Sequence, residues 1–113
     1  MKIIKDRITL GELREMSSKM FGNLMKAVVD VEKEIMAVDA DLHADEEALL
    51  LENGSAQKNL WGINMYTELT EDDFVEFDSM INLRPSQGNR SRGVDNKDIQ
   101  EKILEIVAKL VKK

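Results

Sequence analysis

Residues 26 to 38 read KAVVDVEKEIMAV, two short runs rich in valine and isoleucine on either side of the charged triplet Glu32-Lys33-Glu34. β-Branched side chains suit a pleated surface better than a helix, and a charged triplet between two such runs is turn material. The stretch is therefore predicted to be a hairpin. Working outward, Leu60 to Tyr66 (LWGINMY) and Phe74 to Leu83 (FVEFDSMINL) alternate large apolar with small or polar residues, and TELTEDD between them is a turn. These two runs should pair as antiparallel neighbours. Lys2 to Ile8 is a further strand candidate.

Helices are expected around this sheet. Thr9 offers a hydroxyl N-cap with Glu12 three residues on, and Leu10, Leu13, Met16, Met20, Phe21 and Leu24 follow at near-helical spacing, so a helix is predicted over 9 to 21 with Gly22 ending it. Residues 95 to 111 carry the clearest pattern in the chain: Ile99, Ile103, Ile106, Val107, Leu110 and Val111 fall on one face, with Lys109, Lys112 and Lys113 at the negative end of the dipole. Between them, Leu42 to Asn53 reads as a helix stopped by Gly54, although a second hairpin across Asp45 to Glu47 also suits the run Ala48 to Leu51. The predicted class is α+β: one domain over residues 1 to 113, an antiparallel sheet of four to five strands with the two amphipathic helices packed on one face.

Composition excludes several functions. With 42% hydrophobic and 34% charged residues the 113-residue chain can bury one core under a solvated surface. The opening MKIIKDRI has no signal-peptide run, and no apolar stretch approaches the roughly 18 residues of a membrane span, so a cytoplasmic protein is expected with no membrane partner. Without cysteine there are no thiolate ligands, thiol nucleophiles or disulfides. A net charge of -6 disfavours duplex nucleic acid as a partner, because such binding rests on neutralising many phosphates. Seven methionines supply adaptable apolar surface and leave a homodimer open.

The charge is unevenly spread. Asp30 to Glu52 holds nine carboxylates against Lys33 alone, whereas Arg84 to Lys97 holds Arg84, Arg90, Arg92 and Lys97 against Asp95. In the second segment Arg84, Ser86, Gln87, Asn89, Arg90, Ser91 and Arg92 crowd donors around a backbone bent by Gly88 and Gly93, just ahead of a helix start. Free N–H groups and the positive dipole end there would help these arginines hold an anion, so they are the candidate ligand-binding residues. The competing reading is an internal clasp of arginines on the protein's own acids. No phosphate-binding Walker pattern is present, since neither glycine is followed by Lys and Ser or Thr.

His43, the single histidine, lies among Asp39, Asp41, Asp45, Glu46 and Glu47. With Asp45 and Glu46 it forms the candidate catalytic group of a metal-assisted phosphoester hydrolase, as metal ligand or base, with the arginines stabilising charge on phosphate. The spacing is not that of a calcium loop, and neither metal nor cofactor is specified. Trp61 is most simply core, with its indole N–H needing a partner.

The order HADEE, LLLENGS, NLWGINMY and SMINLRPSQGNRSRGVDN, then a closing helix, resembles a small uncharacterised prokaryotic family, a domain of unknown function of about this length. The resemblance spans nearly the whole chain and is strongest at His43 to Glu47, Gly54-Ser55, Leu60 to Asn64 and Ile81 to Val94. It implies a shared fold and no reaction. A module binding a phosphorylated or other anionic ligand through the arginine-rich loop is the leading functional expectation, with the hydrolase and the clasp as alternatives.

Overall fold

The computed structural model describes residues 1–113, apart from the side chain of Glu71. Five strands form one antiparallel sheet in the order β1-β4-β3-β5-β6: β1 (Lys2–Ile4), β3 (Leu24–Asp30), β4 (Ile35–Val38), β5 (Leu60–Tyr66) and β6 (Val75–Glu76). The predicted hairpin is β3 and β4, in register from Ala27 opposite Val38 to Asp30 opposite Ile35. Its turn is closed by the buried Asp30 carboxylate, which accepts the N–H groups of Glu32 and Lys33 at 2.9 Å each and the Ser55 hydroxyl at 2.6 Å. Glu34 ends that turn at φ 58°, and its carboxylate is held by Lys109 at 2.6 Å and Lys102 at 3.0 Å, which depress its pKa to about 2.

Alternation puts Met25, Ala27, Val29, Met36, Val38, Trp61, Ile63 and Met65 on one face of the sheet. There they meet α1 (Leu10–Ser18) through Leu13 and α3 (Lys97–Leu110) through Ile103, Ile106, Val107 and Leu110. Each valine, leucine, isoleucine and methionine among them contributes about 1.5–3 kcal/mol on burial. The two amphipathic helices thus share one face. The other face, with Val28, Ala37 and Leu60, is covered by a third helix, α2 (His43–Glu52), through Leu50. Helix is therefore the right reading of 42 to 53. Among the described residues no helix is long and apolar enough to cross a membrane.

Several boundaries differ from expectation. Thr9 caps α1 by accepting the Glu12 N–H at 3.1 Å, but the helix stops at Ser18 rather than residue 21, where the Ser17 and Ser18 hydroxyls bond back to the Arg14 and Glu15 carbonyls. Gly22, at φ 79°, then turns the chain into β3. The strand expected over 2 to 8 is two strands: β2 (Ile8–Thr9) leaves the main sheet and pairs in parallel with β7 (Val111–Lys112), which ends α3. Helix α3 begins after Asn96, whose side chain caps it, and not at Asp95.

The largest correction concerns 74 to 83. Only Val75–Glu76 pairs with β5, opposite Met65 and Asn64, and beyond it the chain is irregular with a 3₁₀ turn at Met80–Asn82. The reason is a substitute for the missing strand. The buried Asn82 carboxamide accepts the Gly62 N–H at 2.8 Å and donates to the Gly62 carbonyl at 2.9 Å, pairing with β5 as a peptide group would. The same amide nitrogen donates to the Arg92 carbonyl at 3.0 Å. Close approach requires glycine at 62, because a Cβ there would lie 2.5 Å from that of Ser79.

Asn82→Asp keeps the shape and the acceptor but removes the donor, leaving the Gly62 and Arg92 carbonyls facing a buried carboxylate. The expected loss is at least about 3 kcal/mol, measured by urea unfolding; a loss below about 1 kcal/mol would show that the amide does not replace strand pairing.

Candidate functional site

The basic loop is mostly bonded to its own protein. Arg84 donates from Nη2 to the Leu60 carbonyl at 2.8 Å and from Nη1 to that of Gln57, and its guanidinium lies 4.3 Å from the centre of the Trp61 ring. The Trp61 Nε1 itself has no hydrogen-bond partner. Gln87 donates to the Lys58 carbonyl at 2.8 Å, and Arg84 and Asn89 pair through their backbones across a tight turn at Gly88, φ 86°. The buried Asn89 amide donates to the carbonyls of Asn82, Ser91 and Gly93 and accepts the Asp95 N–H. Asp95 accepts the Ser91 hydroxyl and the Arg90 N–H, and these bonds lower its pKa. The N-terminus of α3 is occupied by Asn96, which accepts from Asp98 and Ile99. Many of the loop donors are thus spent within the protein and the start of α3 is capped by Asn96, which leaves few donors for an anion at that helix start. The Ser86 side chain and the Arg90 guanidinium are exposed and make no hydrogen bond among the described residues.

A cleft of about 250 Å³ opens instead on the α2 face of the sheet. Its floor includes the cross-strand neighbours Lys26 and Asn64, one wall is the start of α2 (Leu42, His43 and Ala44), and the other is the segment Asp78–Ile81 with Arg92. His43 and one arginine of the loop therefore share a cleft. Helix α2 has leucine at its N-cap and no side-chain cap. The Asp45 N–H donates to the Leu42 carbonyl at 3.2 Å, and the N–H groups of His43 and Ala44 are left without a partner on an element that lines the cleft with two cations, the arrangement that favours an anion.

Both cations keep donors free. Arg92 uses only Nε, in a 2.8 Å bond to Asp78, so its terminal nitrogens are uncommitted. Lys26 lies over the exposed Phe21 ring at 5.1 Å and has no carboxylate in ion-pair reach among the described residues. Asn64, 8% exposed, donates to the Glu76 carboxylate and the Asp78 carbonyl, while its own carbonyl oxygen has no partner. His43 contacts the Ile63 carbonyl from Nε2 at 2.8 Å; a carbonyl only accepts, so the proton is on Nε2 and Nδ1 is an acceptor. Burial lowers the His43 pKa, with Lys26 and Arg92 adding to the effect, so the ring is neutral at pH 7.

The other two members of the expected catalytic group do not join His43. Asp45 is exposed on the helix. Glu46 is fully buried, neither carboxyl oxygen has a hydrogen-bond partner, and burial pushes its pKa to about 9, so it is a neutral acid within the protein. Among the described residues no three histidine, aspartate or glutamate side chains converge to hold a metal. A second groove of about 300 Å³, between α3 and residues 69 to 75, is apolar and holds none of the expected site residues. Lys26 and Asn64 were not singled out in the sequence, although a lone polar residue inside each of two apolar strands was the available signal.

The fold and cleft define a small α+β domain with one polar, cationic recess on the helix-α2 face of its sheet. The chain belongs to the family described as protein of unknown function DUF5674, whose model matches residues 2–110. No curated protein and no solved structure matches it.

The three arginines should behave differently on replacement by alanine. Arg84→Ala should cost about 2–4 kcal/mol, through two charged hydrogen bonds and the stacking on Trp61, whereas Arg92→Ala should cost under about 1 and Arg90→Ala close to nothing. Thermal unfolding of the three variants ranks them, and equal losses would contradict the assignment. Glu46 binds a proton on folding, so its contribution is fully present below its unfolded pKa near 4.5 and is lost as pH rises towards about 9. Glu46→Gln should therefore stabilise the protein at pH 7 by up to about 3 kcal/mol and flatten that part of the stability profile, whereas an unchanged profile would place the titration elsewhere.

Proposed function

We propose that this protein is a binding module for a small phosphorylated or otherwise anionic ligand, held in the α2 cleft. The observation that carries the reading is that the start of α2, with the His43 and Ala44 N–H groups unpartnered, lines the same recess as Lys26 and Arg92, whose terminal nitrogens are free. The unpartnered Asn64 carbonyl oxygen beneath the cleft adds a buried acceptor suited to a hydroxyl of the ligand or to a bridging water. The clasp and the site are then one device, because the loop that saturates the β5 edge also delivers Arg92 to the cleft. The setting we infer is cytoplasmic, a reading that the cysteine-free sequence supports. Metal-assisted hydrolysis has no comparable support, since Asp45 and Glu46 stand apart from His43 in the cleft.

Orthophosphate titrated into the wild type should give saturable heat and shift the amide signals of His43 and Ala44. Lys26→Met and Arg92→Met should each weaken binding roughly 10- to 100-fold, the worth of one charge-assisted contact, while Arg90→Ala leaves it unchanged. Absence of binding to phosphate, sulfate and citrate by the wild type would overturn the proposal.

A further inference from the structure

The rim of the cleft is as unusual as its floor. Met80 is 62% exposed and Leu42 is 55% exposed, and the two stand on opposite walls with the half-buried Ile81 beside them. Large apolar side chains grouped at the mouth of a charged recess mark a binding surface more often than scattered ones do. Leu42 also occupies the N-cap position, where serine, threonine, aspartate or asparagine would engage the free N–H groups of α2. Leucine offers no side-chain acceptor, so the His43 and Ala44 N–H groups stay open while that of Asp45 turns to the Leu42 carbonyl, and it adds an apolar side chain at the cleft mouth.

We propose that the ligand is an organic anion of amphipathic form, a phosphate monoester or carboxylate whose apolar body lies between Leu42, Met80 and Ile81. The proposal rests on the anion-binding reading above. The anionic head meets Lys26, Arg92 and the free α2 N–H groups, and with Asp78 paired to Arg92 the lining keeps one cation in excess. Size narrows the class. At about 250 Å³ the cleft lies below the roughly 300–1,000 Å³ of pockets that enclose drug-sized ligands. One ring or a short alkyl chain is of the size such a cleft encloses, whereas the base of a nucleotide would extend beyond it.

Calorimetry with phenyl phosphate and orthophosphate tests this. The wild type should bind phenyl phosphate at least about tenfold more tightly, the scale expected for burying one ring against two or three apolar side chains. Met80→Ser should leave orthophosphate affinity unchanged and reduce the phenyl advantage to less than about threefold. Leu42→Ser should lose the advantage too, weaken orthophosphate binding because its hydroxyl engages the N–H groups that the anion uses, and raise the thermal midpoint by a few degrees through the new cap. The Met80 methyl signal of the wild type supplies a second readout that does not depend on the folding of either variant: phenyl phosphate should shift it and orthophosphate should not. Equal affinity for both probes overturns this inference and leaves the anion site standing. Failure of the wild type to bind either one overturns both.

Discussion

The outer edge of β5 is the constraint on which the rest of the structure depends. Along its inner edge β5 pairs with β3 from end to end, Leu60 opposite Asp30 through Tyr66 opposite Leu24. On the outer edge β6 reaches only Asn64 and Met65. The polar groups of Leu60 and Gly62 would otherwise be left in the interior unpaired, at a cost of about 1–3 kcal/mol for each group. Arg84 takes the first and Asn82 takes both of the second. A third strand residue, Asn64, reaches out with its own side chain to the Asp78 carbonyl. The irregular segment after β6 is thus a strand's complement of hydrogen bonds delivered by side chains, and its composition follows: amides and a guanidinium, with glycine where the backbones meet.

That solution also explains the charge distribution. A chain with acids over 30 to 52 and arginines over 84 to 92 invites the expectation that the two segments pair. They do not. Asp30 is consumed by its own turn, Glu32 accepts from Asn59, Glu34 takes two lysines of α3, and Glu46 is buried without ionising. Arg84 bonds to carbonyls and an aromatic face, a use for which the planar guanidinium is better suited than lysine. Of the loop's arginines, Arg92 alone reaches both a carboxylate and the cleft.

Legibility in the sequence tracks how local each signal is. The hairpin at 26 to 38 and the stripe of α3 could be read because periodicity and turn chemistry lie within a dozen residues. Helix α2 was ambiguous because Leu49, Leu50 and Leu51 are consecutive while only Leu50 is fully buried, which blurs a helical stripe into a run. Residues 77 to 83 imitate a strand because Ser79 and Asn82 turn inward to meet Gly62, a long-range arrangement that alternation alone cannot distinguish from pleating. At the site, His43 and Arg92 were legible as residue types. Their shared cleft depended on tertiary placement, and Lys26 and Asn64 entered it from strands that looked like core.

The choice between two helix starts shows how these constraints bear on the site. Both α2 and α3 present first-turn N–H groups, and the sequence pointed to α3 alone because the arginines precede it directly. Yet the Asn96 side chain accepts the Asp98 and Ile99 N–H groups, and Asp95 places a carboxylate immediately before them. Helix α2 has the acidic residues Asp45 and Glu46 in its first turn, but one is exposed and the other is neutral in the fold, so neither supplies a buried negative charge at the cleft. Burying Glu46 thus does more than fill space under the helix. It removes a charge that would otherwise lie one turn from His43, and the cationic character that Lys26 and Arg92 give the recess is preserved.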